Sequence, residues 1–179
     1  MQTQLDPGLV RIDNARLNSA CEAYFKWKDL NTYVKSVNTR GINMPDCISE
    51  PVACWCLGYM WNRGSQVGDA TDGNGNKIEF KATSRWNGDL SSFGPSCKFD
   101  NLVYLRFDVE HNKLYIYDLH IDSHRFGQLP ANQHQTIRDQ QMQGRRPHVS
   151  LQSLFVDAHS LQPDIIFDIR QMRIERDNR

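Results

Sequence analysis

The chain carries no net charge, no long apolar run, no paired cysteine spacing and no internal repeat. Its 21 basic residues balance 21 acidic ones over 179 positions, so no overall cationic field can hold a polyanion, and any nucleic-acid contact has to rest on local patches. No hydrophobic stretch approaches the roughly 20 residues needed to cross a bilayer, which excludes a membrane-spanning helix. Met1 to Pro7 lacks a basic region leading into an apolar one, so no secretory signal is read there and a cytoplasmic protein is expected. The five cysteines, Cys21, Cys47, Cys54, Cys56 and Cys97, are odd in number and lack a CxxC pair. That argues against a disulfide framework and against a zinc knuckle; buried thiols are the expectation, Cys54 and Cys56 included.

What is present suits one globular domain. Hydrophobic residues make up 39% and aromatic ones 10%, enough for one core and short for two. From Asn14 to Val37 the apolar positions Leu17, Ala20, Cys21, Tyr24, Trp27, Leu30, Val34 and Val37 recur at steps of three and four, which predicts an amphipathic helix. A second helix is expected from near Pro45 to Trp61, with Asn43 or Asp46 as its N-cap and Pro45 in its first turn. That helix is apolar almost all round, and Glu50 falls on the stripe of Cys54, Leu57 and Trp61. A carboxylate there either escapes to solvent from the first turn, favoured by the helix dipole, or faces a polar site that partners it. Leu102 to Val109 and Lys113 to Leu119 read as strands joined by Glu110-His111-Asn112. Gln128 to Gln143 is polar and reads as partly helical, and Arg145-Arg146-Pro147-His148 is a compact basic cluster.

The densest chemistry lies between Gly68 and Lys81. Asp72-Gly73-Asn74-Gly75-Asn76 is a hairpin turn separating a short run at Val67 to Thr71 from a strand at Lys77 to Thr83. If the hairpin is symmetric about Asn74, Asp69 lies opposite Glu79; like charges so placed repel, and a cation between them would relieve the pair. Alternation puts Glu79 and Lys81 on one face and Ile78, Phe80 and Ala82 on the other. A one-residue bulge would spoil that register. A calcium-binding EF-hand loop is excluded, because aligning Gly75 with its invariant glycine puts Ala70 and Lys81 at the two essential acidic positions. An exposed charged hairpin and a metal site both remain open on spacing alone.

The order of a helix bearing Glu50, a strand bearing Asp69, a hairpin, and a strand bearing Glu79-Phe80-Lys81 resembles the PD-(D/E)XK nuclease superfamily. A narrower resemblance rests on several blocks: Arg40-Gly41-Ile42-Asn43-Met44-Pro45, Ile48-Ser49-Glu50, Gly68-Asp69, Ile78-Glu79-Phe80-Lys81-Ala82-Thr83, Ser92-Phe93-Gly94-Pro95 and Phe99-Asp100. Together they look like the small Type II restriction endonucleases of the Bsp-six-I kind. The departure is Gly68, where the superfamily's name has proline.

The resemblance implies an α/β fold with a restriction-endonuclease-like core, a mixed β-sheet of about four or five strands flanked by helices. It implies a single nuclease domain over residues 1–179, helical and dimer-forming over 1–40, catalytic over 41–120, less regular and DNA-contacting over 121–179. By the same resemblance Asp69, Glu79 and the Phe80 backbone carbonyl would bind Mg²⁺, Lys81 would hold or help deprotonate the attacking water, and Glu50 would support a water or a second ion. Arg85, Asn87, Ser92, Arg145 and Arg146 are the candidate DNA contacts. The implied partners are double-stranded DNA with a GCNGC-like site, a second copy of the chain in a homodimer, and a companion DNA methyltransferase protecting the host. The competing readings are a structure-specific repair or recombination nuclease of the same fold and a non-catalytic DNA-binding protein.

Overall fold

The computed structural model describes residues 8–64 and 68–179; Met1 to Pro7 and the Val67 start of the first hairpin strand lie outside the described residues. In chain order the elements are β1 (Leu9–Arg11), α1 (Asn14–Val37), α2 (Asp46–Leu57), β2 (Met60–Asn62), β3 (Ala70–Thr71), β4 (Lys77–Thr83), β5 (Ser91–Ser92), β6 (Asn101–Asp108) and β7 (Lys113–Asp118). There follow α3 (Ser123–Gly127), α4 (Ile137–Met142), β8 (His148–Val149), a π-helical turn (Gln152–Asp157), β9 (Ile165–Asp168) and β10 (Arg173–Asp177). No helix among the described residues is long and apolar enough to cross a membrane.

A mixed sheet with helices on it is found, but with eight strands rather than four or five, in the order β1-β2-β3-β4-β6-β7-β9-β10. The extra strands come from three places. Met60–Asn62 is a strand and not the end of the second helix, because α2 stops at Leu57, where the Tyr59 amide returns to the Cys54 carbonyl at 2.9 Å. Leu9–Arg11 pairs with it at the edge, and the tail supplies β9 and β10 at the other. The N-cap of α2 is Pro45, whose side chain caps nothing, rather than Asn43 or Asp46. By contrast α1 spans the expected residues, with Asp13 accepting the Arg16 amide at 2.8 Å as its N-cap.

Among the described residues only β4 and β6 pair in parallel, Glu79 beside Leu102 and Lys81 beside Tyr104; the other neighbours in this sheet are antiparallel. β6 is buried on both faces over most of its length, as the interior of a mixed sheet favours, whereas β4 is buried on the Ile78 and Phe80 face and only partly covered on the other. On one face, α1 and α2 cover Ile78, Phe80, Val103, Leu105 and Phe107, and Tyr24 stacks on Phe107 with ring centroids 5.9 Å apart. On the other face, Leu102 and Tyr104 pack beneath the tail, with Phe93, Phe126, Ile137, Val149 and Leu151. Glu79 and Lys81, alternating with Ile78 and Phe80, therefore emerge on the tail side of the sheet, where Ser91–Ser92 pairs with His148–Val149 in a small second sheet.

Candidate active site

The site forms where the hairpin leaves its regular ladder. Ala70 pairs with Ile78 and Thr71 with Lys77, a register symmetric about Asn74 as expected. One residue earlier the ladder changes: the Asp69 amide donates to the Ile78 carbonyl at 2.8 Å, and Asp69 Oδ2 accepts the Phe80 amide at 2.7 Å. Asp69 is thus tied to the backbone of the motif strand by its side chain, not set squarely opposite Glu79. Gly68 makes this possible at φ +89°, and a Cβ there would lie 3.2 Å from Lys77 Cβ. Proline, locked near φ −65°, cannot take that conformation, which accounts for the departure at this position. Asp72 is committed elsewhere, accepting the Asn74 and Asn76 amides at 2.8 and 2.9 Å within the turn.

Glu79 and Lys81 form a close ion pair, Nζ to Oε1 2.5 Å, with side chains 12% and 23% exposed. Below the ammonium sits the Phe93 ring, its centroid 5.2 Å away, so the Ser92 to Pro95 loop supplies an apolar floor that favours the cation electrostatically. From the other side of the strand Glu50 approaches, half-buried, its Oε2 accepting the Trp61 indole N–H at 2.7 Å. Its carboxylate is thus turned to the Trp61 indole and partly buried rather than left in open solvent.

The electrostatics follow from three carboxylates sharing a half-dry space. Burial first, then the Asp69 carboxylate, push Glu50 up to about 8, with the Trp61 hydrogen bond pulling the other way. Burial and then Glu79 push Asp69 up to about 6, against the Phe80 amide and the Lys81 charge. Burial pulls the Lys81 ammonium down, but Glu79, by charge and hydrogen bond, and then Asp69 outweigh it and hold it above its usual range. Carboxylates kept near one another at this cost characterise functional sites. Among the described residues no three His, Cys, Asp or Glu side chains close into a ready-made cage. Two carboxylates with remaining positions left to water and phosphate oxygens is the donor set that a hard divalent cation takes when it also meets a phosphate, and Asp69 and Glu79 fit it.

Beside the motif strand opens a cleft of about 640 Å³. Phe80, Lys81, Ala82 and Thr83 line it from β4, Arg85 and Ser92 from the segment after it, and His148 from β8. Arg85 and Ser92 thereby share a cleft with Lys81, while Glu50, Asp69 and Glu79 do not line it. Asn87, Arg145 and Arg146 are exposed but do not line the cleft; the two arginines precede Pro147, whose carbonyl accepts the Phe93 amide at 3.1 Å.

Sequence reasoning missed Asp89, which is only 8% exposed. Its Oδ1 accepts from Ser150 Oγ at 2.8 Å and the Gln152 amide at 3.0 Å, and its Oδ2 from Ser91 Oγ and the Leu151 amide, both at 3.0 Å. This one carboxylate clamps the segment after β4 to the tail, which is why Ser92 and His148 share a wall. An aspartate in a polar loop carries no sequence signal for such a role. Asp100 acts similarly at the far end, its Oδ2 accepting the Lys77 amide at 2.8 Å.

A sequence model of the Bsp6I restriction endonuclease family matches residues 12–158. The chain is similar to the Type II restriction enzyme Bsp6I of Bacillus sp. (strain RFL6), with 41% identity over 166 residues that cover 92% of this chain and 95% of the relative.

Proposed function

The chain belongs to the Bsp6I restriction endonuclease family and is a Type II site-specific endonuclease; from that premise we propose that it hydrolyses both strands of duplex DNA with Mg²⁺ held by Asp69, Glu79 and the Phe80 carbonyl, on a PD-(D/E)XK core. The observation that carries this reading is the juxtaposition on one strand of Glu79 with Lys81, 2.5 Å apart, beside an Asp69 fastened to the Phe80 amide.

Bound Mg²⁺ supplies Lewis acidity toward a phosphate oxygen and makes water a better nucleophile at neutral pH. The chain does the rest. Lys81 donates a hydrogen bond that holds the attacking water and offsets charge developing on the phosphate oxygens. Phe93 closes the space beneath that ammonium and keeps bulk water from competing. Glu50, anchored by Trp61, orients a further water at the rim. Arg85 and Ser92 face the DNA from the cleft wall, and Asn87, Arg145 and Arg146 meet it further out.

A site read on both strands calls for a two-fold symmetric protein, so the working enzyme is a homodimer in which each subunit cuts one strand. Its sequence is GCNGC-like, and a companion methyltransferase shields host DNA in the cytoplasm where the enzyme acts. The test is digestion of plasmid DNA with Mg²⁺ followed by runoff sequencing of the products. Discrete fragments ending within one repeated sequence are expected. A smear, cutting confined to junctions or flaps, or wild-type cleavage by Asp69→Ala would refute the reading.

A further inference from the structure

The cleft has a second wall that the catalytic reading leaves idle. Opposite β4 it is built by the C-terminal end of α1 and the Arg40 to Met44 segment, which bring Lys35 and Arg40 to the lining. This wall is braced. Asn31, only 3% exposed, accepts the Ile42 amide on Oδ1 at 2.8 Å, and the Trp27 indole donates to the Asn43 carbonyl at 3.1 Å. Gly41 lies so close to α1 that a Cβ would fall 2.2 Å from Asn31 Oδ1 and 2.8 Å from Lys35 Cε. The same segment buries Met44 and packs Ile42 on the core, so its backbone is fixed on both sides of Gly41 and Arg40 and Lys35 are both held at the lining.

Among the described residues no carboxylate pairs with Lys35 or Arg40. Two acids also line the cleft: Asp89 is engaged by the hydrogen bonds of its clamp, and Asp46, at the start of α2, forms no ion pair with either cation. A chain with no net charge thus concentrates unpaired positive charge on the wall facing its reactive lysine, where a polyanion would be held.

We propose that Lys35 and Arg40 form a phosphate clamp that grips the DNA backbone beside the bond being cut, independently of base sequence. The proposal rests on the nuclease reading above and names the part of the cleft that holds DNA without reading it. Phosphate contacts fix register and orientation while base edges carry specificity, so the clamp and the Arg85 wall answer to different tests.

The experiment measures duplex binding by the full chain in metal-free buffer between 50 and 200 mM salt, with one duplex containing the cleaved sequence and one shuffled. Lys35→Gln and Arg40→Gln each weaken both duplexes to the same extent and lower the salt slope by about 1, so that the gap from the parent narrows about 3-fold across this salt range. Gly41→Ala, which keeps every charge but displaces the wall, gives the same loss of slope. An unchanged slope in both glutamine variants, or weakening confined to the cleaved sequence, overturns the clamp while leaving a cutting parent enzyme intact. A parent that neither binds nor cuts DNA overturns the nuclease reading, and the clamp with it.

Discussion

Asp69 Oδ2 accepts the Phe80 amide proton at 2.7 Å, across the point where the hairpin ladder loses its regular register. One side chain therefore shapes the backbone of the motif strand with one oxygen and keeps a second that this bond does not use. Asp69→Asn separates the bond from the charge, because its amide oxygen still accepts from Phe80 while the charge is gone. We expect cleavage to fall by at least about 100-fold, the scale of losing one preorganised electrostatic group, with the circular dichroism spectrum unchanged. Parent-like cleavage by this variant would remove Asp69 from the reaction.

Lys81 is held between Glu79 and Phe93, and nothing else on β4 supplies a cation at that spot. Lys81→Ala should cost about 100-fold to 1,000-fold in cleavage rate with the KM for DNA changed far less than kcat. Steady-state kinetics decide it; a variant that loses only affinity would make Lys81 a binding residue.

Glu50 gives a pH signature in the metal-free protein. Its folded value near 8 lies above the ordinary 4.5, so over that interval the folded state binds more protons than the unfolded one. Stability must then fall as pH rises through the interval and level off above it. Glu50→Gln removes the penalty. Its melting temperature should match the parent near pH 5 and exceed it near pH 8, by about 2–4 °C for each kcal/mol recovered. Equal melting temperatures at both pH values would place Glu50 in water.

Crowded carboxylates also predict stabilisation by metal. Mg²⁺ at about 100-fold over its Kd contributes about 2.7 kcal/mol, raising the parent's melting temperature by about 5–10 °C, and Asp69→Asn should lose most of that rise. Thermal denaturation with and without Mg²⁺ checks it, and a rise retained in the variant would send the ion elsewhere.

Asp89→Asn turns a carboxylate oxygen that receives two N–H or O–H donors into an amide that presents a donor of its own. A buried group so mismatched costs about 1–3 kcal/mol. We expect a lower melting temperature together with a higher KM, because the wall carrying Ser92 and His148 loosens, and a kcat within about twofold of the parent. A kcat collapse with KM intact would contradict a role in holding that wall.

Where the sequence was legible, one periodicity dominated. The three-and-four spacing of Leu17 to Trp27 marks α1, and alternation through Ile78, Glu79, Phe80 and Lys81 marks both β4 and the pairing of site residues on one face. Met60-Trp61-Asn62 misleads because Trp61 continues the apolar stripe of α2; only the chain reversal after Leu57 makes it a strand, and its indole then partners Glu50. Arg173–Asp177 is nearly all polar and edge-placed, so neither burial nor alternation marks it. Nothing in the sequence singles out Lys35, and Arg40 stands out only as part of the Arg40 to Pro45 block; only the folded chain shows that both line the cleft. Asp69 was legible by residue type and position, but its bond to Phe80 depends on a departure from the ladder that no spacing encodes.

Because β4 and β6 run side by side in the same direction, no tight turn can join them, and residues 84–100 must travel from one end of the sheet back to the other. The two ends of that excursion are fixed, by Thr83 Oγ1 accepting the Arg85 amide at 3.1 Å and by Asp100 holding Lys77. Its middle is held by side chains instead, by Asp89 fastened to the tail and by Phe93 buried beneath Lys81, while the strand bearing Glu79 is fixed by its own pairing with β6. Topology alone thereby obliges the chain to carry a long connection past the motif strand, and that connection is what walls the cleft beside Lys81.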